Sequence, residues 1–85
     1  MKAKIYVTLK RGVLDPQGKA IRTSLAHLGI DGVQDVRVGK FMEVTLSEMD
    51  AGEARRRLDE ACRRLLANTV IEEYRIEIGG PGETG

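Results

Sequence analysis

Ala3-Lys4-Ile5-Tyr6-Val7-Thr8-Leu9 alternates without a break, with Ala3, Ile5, Val7 and Leu9 on one parity and Lys4, Tyr6 and Thr8 on the other. Successive side chains of a strand point to opposite faces, so the pattern predicts a strand with one buried face. The same period returns in Met42, Val44 and Leu46 and again in Tyr74, Ile76 and Ile78, predicting strands over residues 41–46 and 70–78. Val36 and Val38 alternate as well. They predict a further strand over residues 33–38, joined to the next by a tight turn at Gly39-Lys40.

Two helical patterns separate these runs. After a loop at residues 11–14, Asp15-Pro16 predicts a helix start: the carboxylate caps free N–H groups, and proline stands where its missing donor costs nothing. Ile21, Leu25 and Leu28 form its apolar stripe, and Gly29 supplies the positive torsion that ends such helices. Asp50 and Glu53 have the spacing of a capping box. Behind them Ala54, Leu58, Ala61, Cys62 and Leu65 predict a long second helix ending at Asn68, a left-handed terminator. The order strand, helix, strand, strand, helix, strand predicts one α+β domain over residues 1–78. Its expected architecture is ferredoxin-like, a four-stranded antiparallel sheet with both helices on one face. Residues 79–85, rich in glycine and without an apolar side chain, read as a flexible tail.

Composition narrows the function. Eighty-five residues leave room for one modest core, which suits an accessory or binding module better than an enzyme with two substrate sites. Fourteen Lys and Arg against 13 Asp and Glu give a net charge of +1, with no overall pull toward nucleic acid or an anionic membrane. A lone cysteine, Cys62, and the lack of a signal or spanning run point to the cytoplasm. The sheet face without helices must be polar or covered by another chain, and Lys4, Tyr6, Thr8, Glu43 and Thr45 suit a homodimer contact.

The residues that could carry chemistry have plain structural uses. Lys10, Arg11 and Gly12 before a helix start would attract an anion, but the glycine pattern of a phosphate loop is absent and Asp15 competes for the same N–H groups. Glu53 precedes Arg57, Asp59 precedes Arg63 and Glu60 precedes Arg64 by four residues each, so the basic helix reads as a self-neutralised surface. Cys62 lies on the apolar stripe, and His27 lacks a nucleophile or second histidine beside it in the pattern. Tyr6 and Phe41 on strands invite comparison with an RNA-recognition module, without its basic glycine-aromatic motif. An acylphosphatase-like anion loop is not reproduced by residues 10–18.

Three punctuated segments carry a resemblance: Lys10-Arg11-Gly12-Val13-Leu14-Asp15-Pro16-Gln17-Gly18, Val36-Arg37-Val38-Gly39-Lys40 and Leu65-Leu66-Ala67-Asn68-Thr69-Val70-Ile71-Glu72. In order, spacing and residue type the chain resembles the PurS family, the small subunit of bacterial phosphoribosylformylglycinamidine synthase, from about residue 3 to 78. The resemblance implies an accessory subunit that is not catalytic alone, self-associating as a homodimer or dimer of dimers. It also implies two further partners, a large ATP-dependent synthetase subunit and a glutaminase subunit. No cofactor is implied on this chain; ATP and magnesium would belong to the large subunit. Gly12, Asp15, Pro16, Gly18, Gly39 and Asn68 have structural reasons to stand where they do, whereas charge at Lys10, Arg37, Lys40 and Glu72 is not needed for folding, which marks these four as candidates for partner contact. The expected alternative is a stand-alone ferredoxin-like module for a small ligand or RNA.

Overall fold

The structure, a computed structural model, describes residues 1–79. β1 (Lys2–Leu9), α1 (Pro16–His27), β2 (Gly39–Thr45), α2 (Ala51–Ala61) and β3 (Glu72–Ile78) follow in order, with a π-helical segment, Cys62–Leu66, continuing α2. β1 is central and antiparallel to both neighbours, in the order β2-β1-β3. The register sets Ile5 opposite Met42 and Ile76, so the three apolar parities share one face. Ala3, Ile5 and Val7 are at most 1% exposed there, beneath Leu58, Cys62 and Ala67 from the second helical stretch. Full burial of an isoleucine such as Ile5 contributes about 1.5–3 kcal/mol, which makes this alternation the main fold determinant.

Backbone pairing fixes which groups point outward. Met1 and Leu46 exchange both hydrogen bonds, at 3.2 and 2.8 Å, so odd residues of β1 bond even residues of β2. Lys10 N–H donates to the Ile71 carbonyl and Gly79 N–H to the Lys2 carbonyl, so even residues of β1 bond odd residues of β3. The free edge of β2 therefore presents Gly39, Phe41, Glu43 and Thr45, and the free edge of β3 presents Glu72, Tyr74, Ile76 and Ile78. On the β3 edge, Arg55 of α2 donates to the Ile76 carbonyl at 3.3 Å and Glu72 N–H is taken by the Asn68 carbonyl at 2.7 Å.

The α+β ferredoxin-like class holds, with several differences of detail. Residues 33–38 join no sheet, and Gly39 and Lys40 open β2 instead of forming a turn. The cause is local: Val38 N–H is held by the Asp15 carboxylate and the Arg37 side chain by the loop after β1, so the chain runs directly into β2. α1 contributes nothing to the core; its Ile21 and Leu28 are 41% and 74% exposed. It is fastened through its first turn to residues 36–38 and not along its length to the sheet. Leu65 is 81% exposed because the wider π turn, closed by Ala67 N–H to the Cys62 carbonyl, carries Leu66 and Ala67 onto the core in its place.

Helix ends also differ from expectation in part. Gly29, with φ +80°, follows α1 as anticipated. Asn68 is not left-handed, since no non-glycine residue described has positive φ; its carbonyl gathers the N–H groups of Ile71 and Glu72, its side chain that of Val70, and β3 starts at Glu72 instead of residue 70. Asp50 caps α2 at Gly52 and Glu53, but the Glu53 side chain turns to Arg56 and Arg57 rather than back to the cap. The tail expected over residues 79–85 lies, from residue 80 on, outside the described residues.

Candidate assembly site at one end of the sheet

The three punctuated segments, far apart in sequence, meet where β1 ends and β2 begins. Gly12, with φ +88°, turns the loop after β1, and Val13 N–H closes it on the Lys10 carbonyl at 3.1 Å. Asp15, 7% exposed, accepts from Gly18 N–H at 2.9 Å through one oxygen and from Val38 N–H at 2.7 Å through the other. One carboxylate thus caps α1 and fastens the segment leading into β2. The Gly18 N–H above all, then the Val38 N–H and the nearby Arg37 charge, hold the Asp15 carboxyl below the usual aspartate range against an opposing push from burial. Pro16 occupies the first turn, as its missing donor permits.

Glycine at 18 and 39 answers to space and not to torsion. A Cβ on Gly18 would lie 2.0 Å from the Val36 carbonyl oxygen, and one on Gly39 would lie 2.6 Å from that of Val7. Arg37 reaches across the junction, donating to the Leu9, Lys10 and Val13 carbonyls at 3.3, 3.1 and 3.2 Å. Its charge therefore does serve folding, by tying the loop after β1 to the approach to β2. Glu72 is likewise engaged, accepting from Asn68 N–H at 2.7 Å and standing 3.9 Å from the Lys40 ammonium. Lys10 is exposed and Lys40 is 59% exposed, so the lysines are the accessible members of the predicted contact set. Between the segments lies an open groove of about 490 Å³ lined by Leu9, Asp15, Gln17, Val38, Lys40 and Glu72 among others.

The helix-free face carries a mosaic that the sequence only half revealed. Tyr6 lies between Phe41, ring centroids 5.2 Å apart, and Arg75, whose guanidinium sits 4.2 Å over the Tyr6 ring. Lys4 is flanked by Glu43 and Glu77. The alternation of Glu73, Arg75 and Glu77 against Tyr74 and Ile76 puts Arg75 on this face, a signal present in the sequence. With its ring already covered by Arg75, Tyr6 is a poor platform for a stacked base.

Reactive constellations are missing among the described residues. No group of three or more potential metal ligands occurs there. Cys62 is buried, and burial first, then the Asp59 charge, pushes its thiol up, opposite to an activated nucleophile. His27 ends α1 in an exposed position. Arg57, Arg63 and Arg64 pair with Glu53, Asp59 and Glu60 at 2.9, 2.9 and 2.8 Å, so the basic helix is neutralised along its own face. Asp59 also accepts from the Tyr74 hydroxyl, which lowers the carboxyl and raises the phenol.

Fold and site together define a small ferredoxin-like α+β module whose closest geometry fastens loops and whose exposed charge faces outward. Comparison with known proteins makes this specific. The family model described as PurS, phosphoribosylformylglycinamidine (FGAM) synthase, matches residues 2–80. The chain belongs to the PurS family. It is 53% identical over 75 residues to the PurS subunit of Synechocystis, covering 88% of this chain and 75% of that one, and 51% identical over 81 residues to that of Bacillus subtilis, covering 91% and 90%. Among solved structures, Bacillus subtilis PurS aligns with TM-score 0.84 at 48% identity over 93% of this chain and 98% of that one. A chain in the structure of PurLQS from Thermotoga maritima aligns with TM-score 0.82 at 30% identity over 89% and 93%.

Proposed function

We propose that this protein is the accessory subunit of phosphoribosylformylglycinamidine synthase in de novo purine synthesis, without chemistry of its own. The assembled complex converts formylglycinamide ribonucleotide, ATP, glutamine and water into formylglycinamidine ribonucleotide, ADP, phosphate and glutamate. Family membership over nearly the whole chain, with a close structural counterpart in a PurLQS assembly, is the observation that carries this assignment. Ammonia released at a glutaminase must reach an activated amide before it is lost to water, so the glutaminase and synthetase subunits have to be held in register. A small rigid module suits that task. ATP and magnesium act on the large subunit, and the complex works in the cytoplasm; no helix described here is long and apolar enough to cross a membrane.

Residues 1–78 are the working unit. Lys10 and Lys40 touch a partner subunit, while Arg37 and Glu72 hold the loops that present them. The protein self-associates, which the exposed Ile21 and Leu28 of α1 and the half-exposed Phe41 of the helix-free face favour. Reconstitution tests the proposal: amidine product from separately purified synthetase and glutaminase subunits, with and without this chain, alongside co-elution on a sizing column. Product dependent on this chain is expected; activity and elution indifferent to it would overturn the assignment.

A further inference from the structure

The connection that leaves α1 runs over residues 30–38 without joining a helix or strand, and it holds Asp31-Gly32, a dipeptide that occurs once in the chain. Both residues are exposed. Among the described residues the Asp31 carboxylate has no ion-pair or hydrogen-bond partner, and the Gly32 N–H donates to no acceptor. The bonds around them go elsewhere: Ile30 N–H to the Leu25 carbonyl, and Arg22 Nε to the Val33 carbonyl at 3.2 Å. Gly32 has φ +87°, and a Cβ built on it would meet nothing within 4 Å, so the space beside it is open. Next to the pair lies a cavity of about 260 Å³, lined by Arg22, His27, Asp31 and Gly32 among others, which has room for several waters. A free carboxyl, a free neighbouring amide and access to water are the ingredients of one known reaction of the polypeptide itself.

We infer that Asp31-Gly32 is a site of backbone self-modification, closing to a succinimide and reopening as an isoaspartyl link. The Gly32 nitrogen attacks Cγ of the protonated Asp31 carboxyl; the N–Cγ bond forms, and the amide hydrogen and the carboxyl hydroxyl leave together as water. A water then opens the ring at one of its two carbonyls. Opening at Cγ restores aspartate. Opening at the main-chain carbonyl breaks the original peptide bond, so the chain runs through Cβ and a carboxylate stands where the main-chain carbonyl was. The balance needs only water. Each of the other four aspartates is disqualified by its surroundings. Asp15 precedes Pro16, which has no N–H to attack with. Asp35 precedes Val36, whose branched side chain crowds the nitrogen and whose N–H is spent on an Asp35 oxygen at 3.0 Å. The Asp50 carboxylate caps Gly52 and Glu53, and Asp59 lies inside α2 with its carboxylate held by Arg63 and Tyr74. Asn68, the one asparagine, is followed by the branched Thr69 and has its side chain on the Val70 N–H. The isoaspartyl link adds one methylene to the connection between α1 and residues 36–38. The hydrogen bond from Arg22 to the Val33 carbonyl, next in the chain, is the contact it disturbs first.

Ageing the folded, full-length chain in neutral buffer at physiological temperature, followed by peptide mapping, tests this. The isomers have equal mass, and the tryptic peptide over residues 23–37 contains both Asp31 and Asp35, so reversed-phase separation with electron-transfer fragmentation assigns the link. A second peak of that peptide, growing with time and carrying its isoaspartyl link at residue 31 in excess over every other aspartate, is expected. A map without the isomer at residue 31, or with an equal share at Asp35, would overturn the inference. Asp31→Glu supplies the second readout, because the longer side chain cannot close the five-membered ring. Methyl transfer from S-adenosylmethionine by an isoaspartate-specific carboxyl methyltransferase should label the aged parent and fall to background in the variant; equal labelling of the two would remove residue 31 as the site. The map of the parent chain answers without the variant, so the outcome does not depend on how Asp31→Glu folds.

Discussion

Replacing Gly18 by alanine sets two well-characterised effects against each other. Gly18 sits in the first turn of α1, where alanine is favoured over glycine by about 1 kcal/mol on helix propensity alone. Space at this position says the reverse. The new Cβ would be 2.0 Å from the Val36 carbonyl oxygen and 2.9 Å from its carbon, both backbone atoms that no rotamer change can move. Restoring even a tight contact requires α1 and residues 36–38 to separate by roughly 1 Å. That lengthens the hydrogen bond from Val38 to Asp15, the fastening between the two segments. Overpacking of this kind costs about 3 kcal/mol against unyielding backbone, leaving a net loss of about 2 kcal/mol after the propensity gain. For a domain of this size the melting temperature should fall by roughly 8–16 °C. Gly52 in the first turn of α2 is the internal control: its Cβ would meet only the Asp50 side chain at 3.0 Å, so Gly52→Ala should be neutral or stabilising. Thermal unfolding by circular dichroism, with the Val38 amide followed by NMR, reads both variants. A Gly18→Ala protein that melts at or above the parent temperature with the Val38 amide undisturbed would refute the close-approach argument.

Acid should release the same fastening. A carboxyl whose folded-state pKa is depressed contributes stability that is present above its unfolded value, about 3.9, and is lost as pH falls through the folded value. The Val38 amide resonance should therefore titrate with a midpoint below 3.9, and a midpoint at or above it would count against the two-amide clamp. Leu58→Ala, at a position only 4% exposed between α2 and the sheet, should cost about 2–5 kcal/mol in denaturant unfolding; a loss under about 1 kcal/mol would mean the core closes around the gap. Lys10→Glu combined with Lys40→Glu should leave the circular dichroism spectrum intact and weaken co-elution with the synthetase and glutaminase subunits, and unchanged assembly would remove both lysines from the contact surface. Ending the chain after Ile78 should preserve assembly, and loss of activity on that truncation would extend the working unit into residues 79–85.

Alternation was enough to read β1, β2 and β3 from the sequence, because a half-buried strand leaves its period in every second residue. Capping chemistry gave the start of both helices for the same reason: Asp15 and Asp50 sit where free N–H groups need an acceptor. Periodicity could not say whether residues 33–38 find a strand to pair with, since Val36 and Val38 alternate equally well against another copy or none. It was blind as well to the π turn, whose one-residue change of phase exposes Leu65 and buries Ala67. At the site, the three segments were legible as units, but their meeting was not. Arg37 looked dispensable for folding because its three carbonyl acceptors lie 24 to 28 residues away in sequence. Lys40 and Glu72 approach each other only because β1 brings both neighbouring strands to the same end.

The guanidinium of Arg55 resting on the Ile76 carbonyl has a consequence for how far a sheet of these chains can grow. A subunit with two open edges is bivalent, and bivalent units joined edge to edge propagate into filaments. Here the Arg55 guanidinium takes one carbonyl of the β3 edge, which hinders strand addition there and leaves the β2 edge the more open of the two. Removing that side chain, as in Arg55→Ala, should free the β3 edge and make edge-to-edge polymer easier to form.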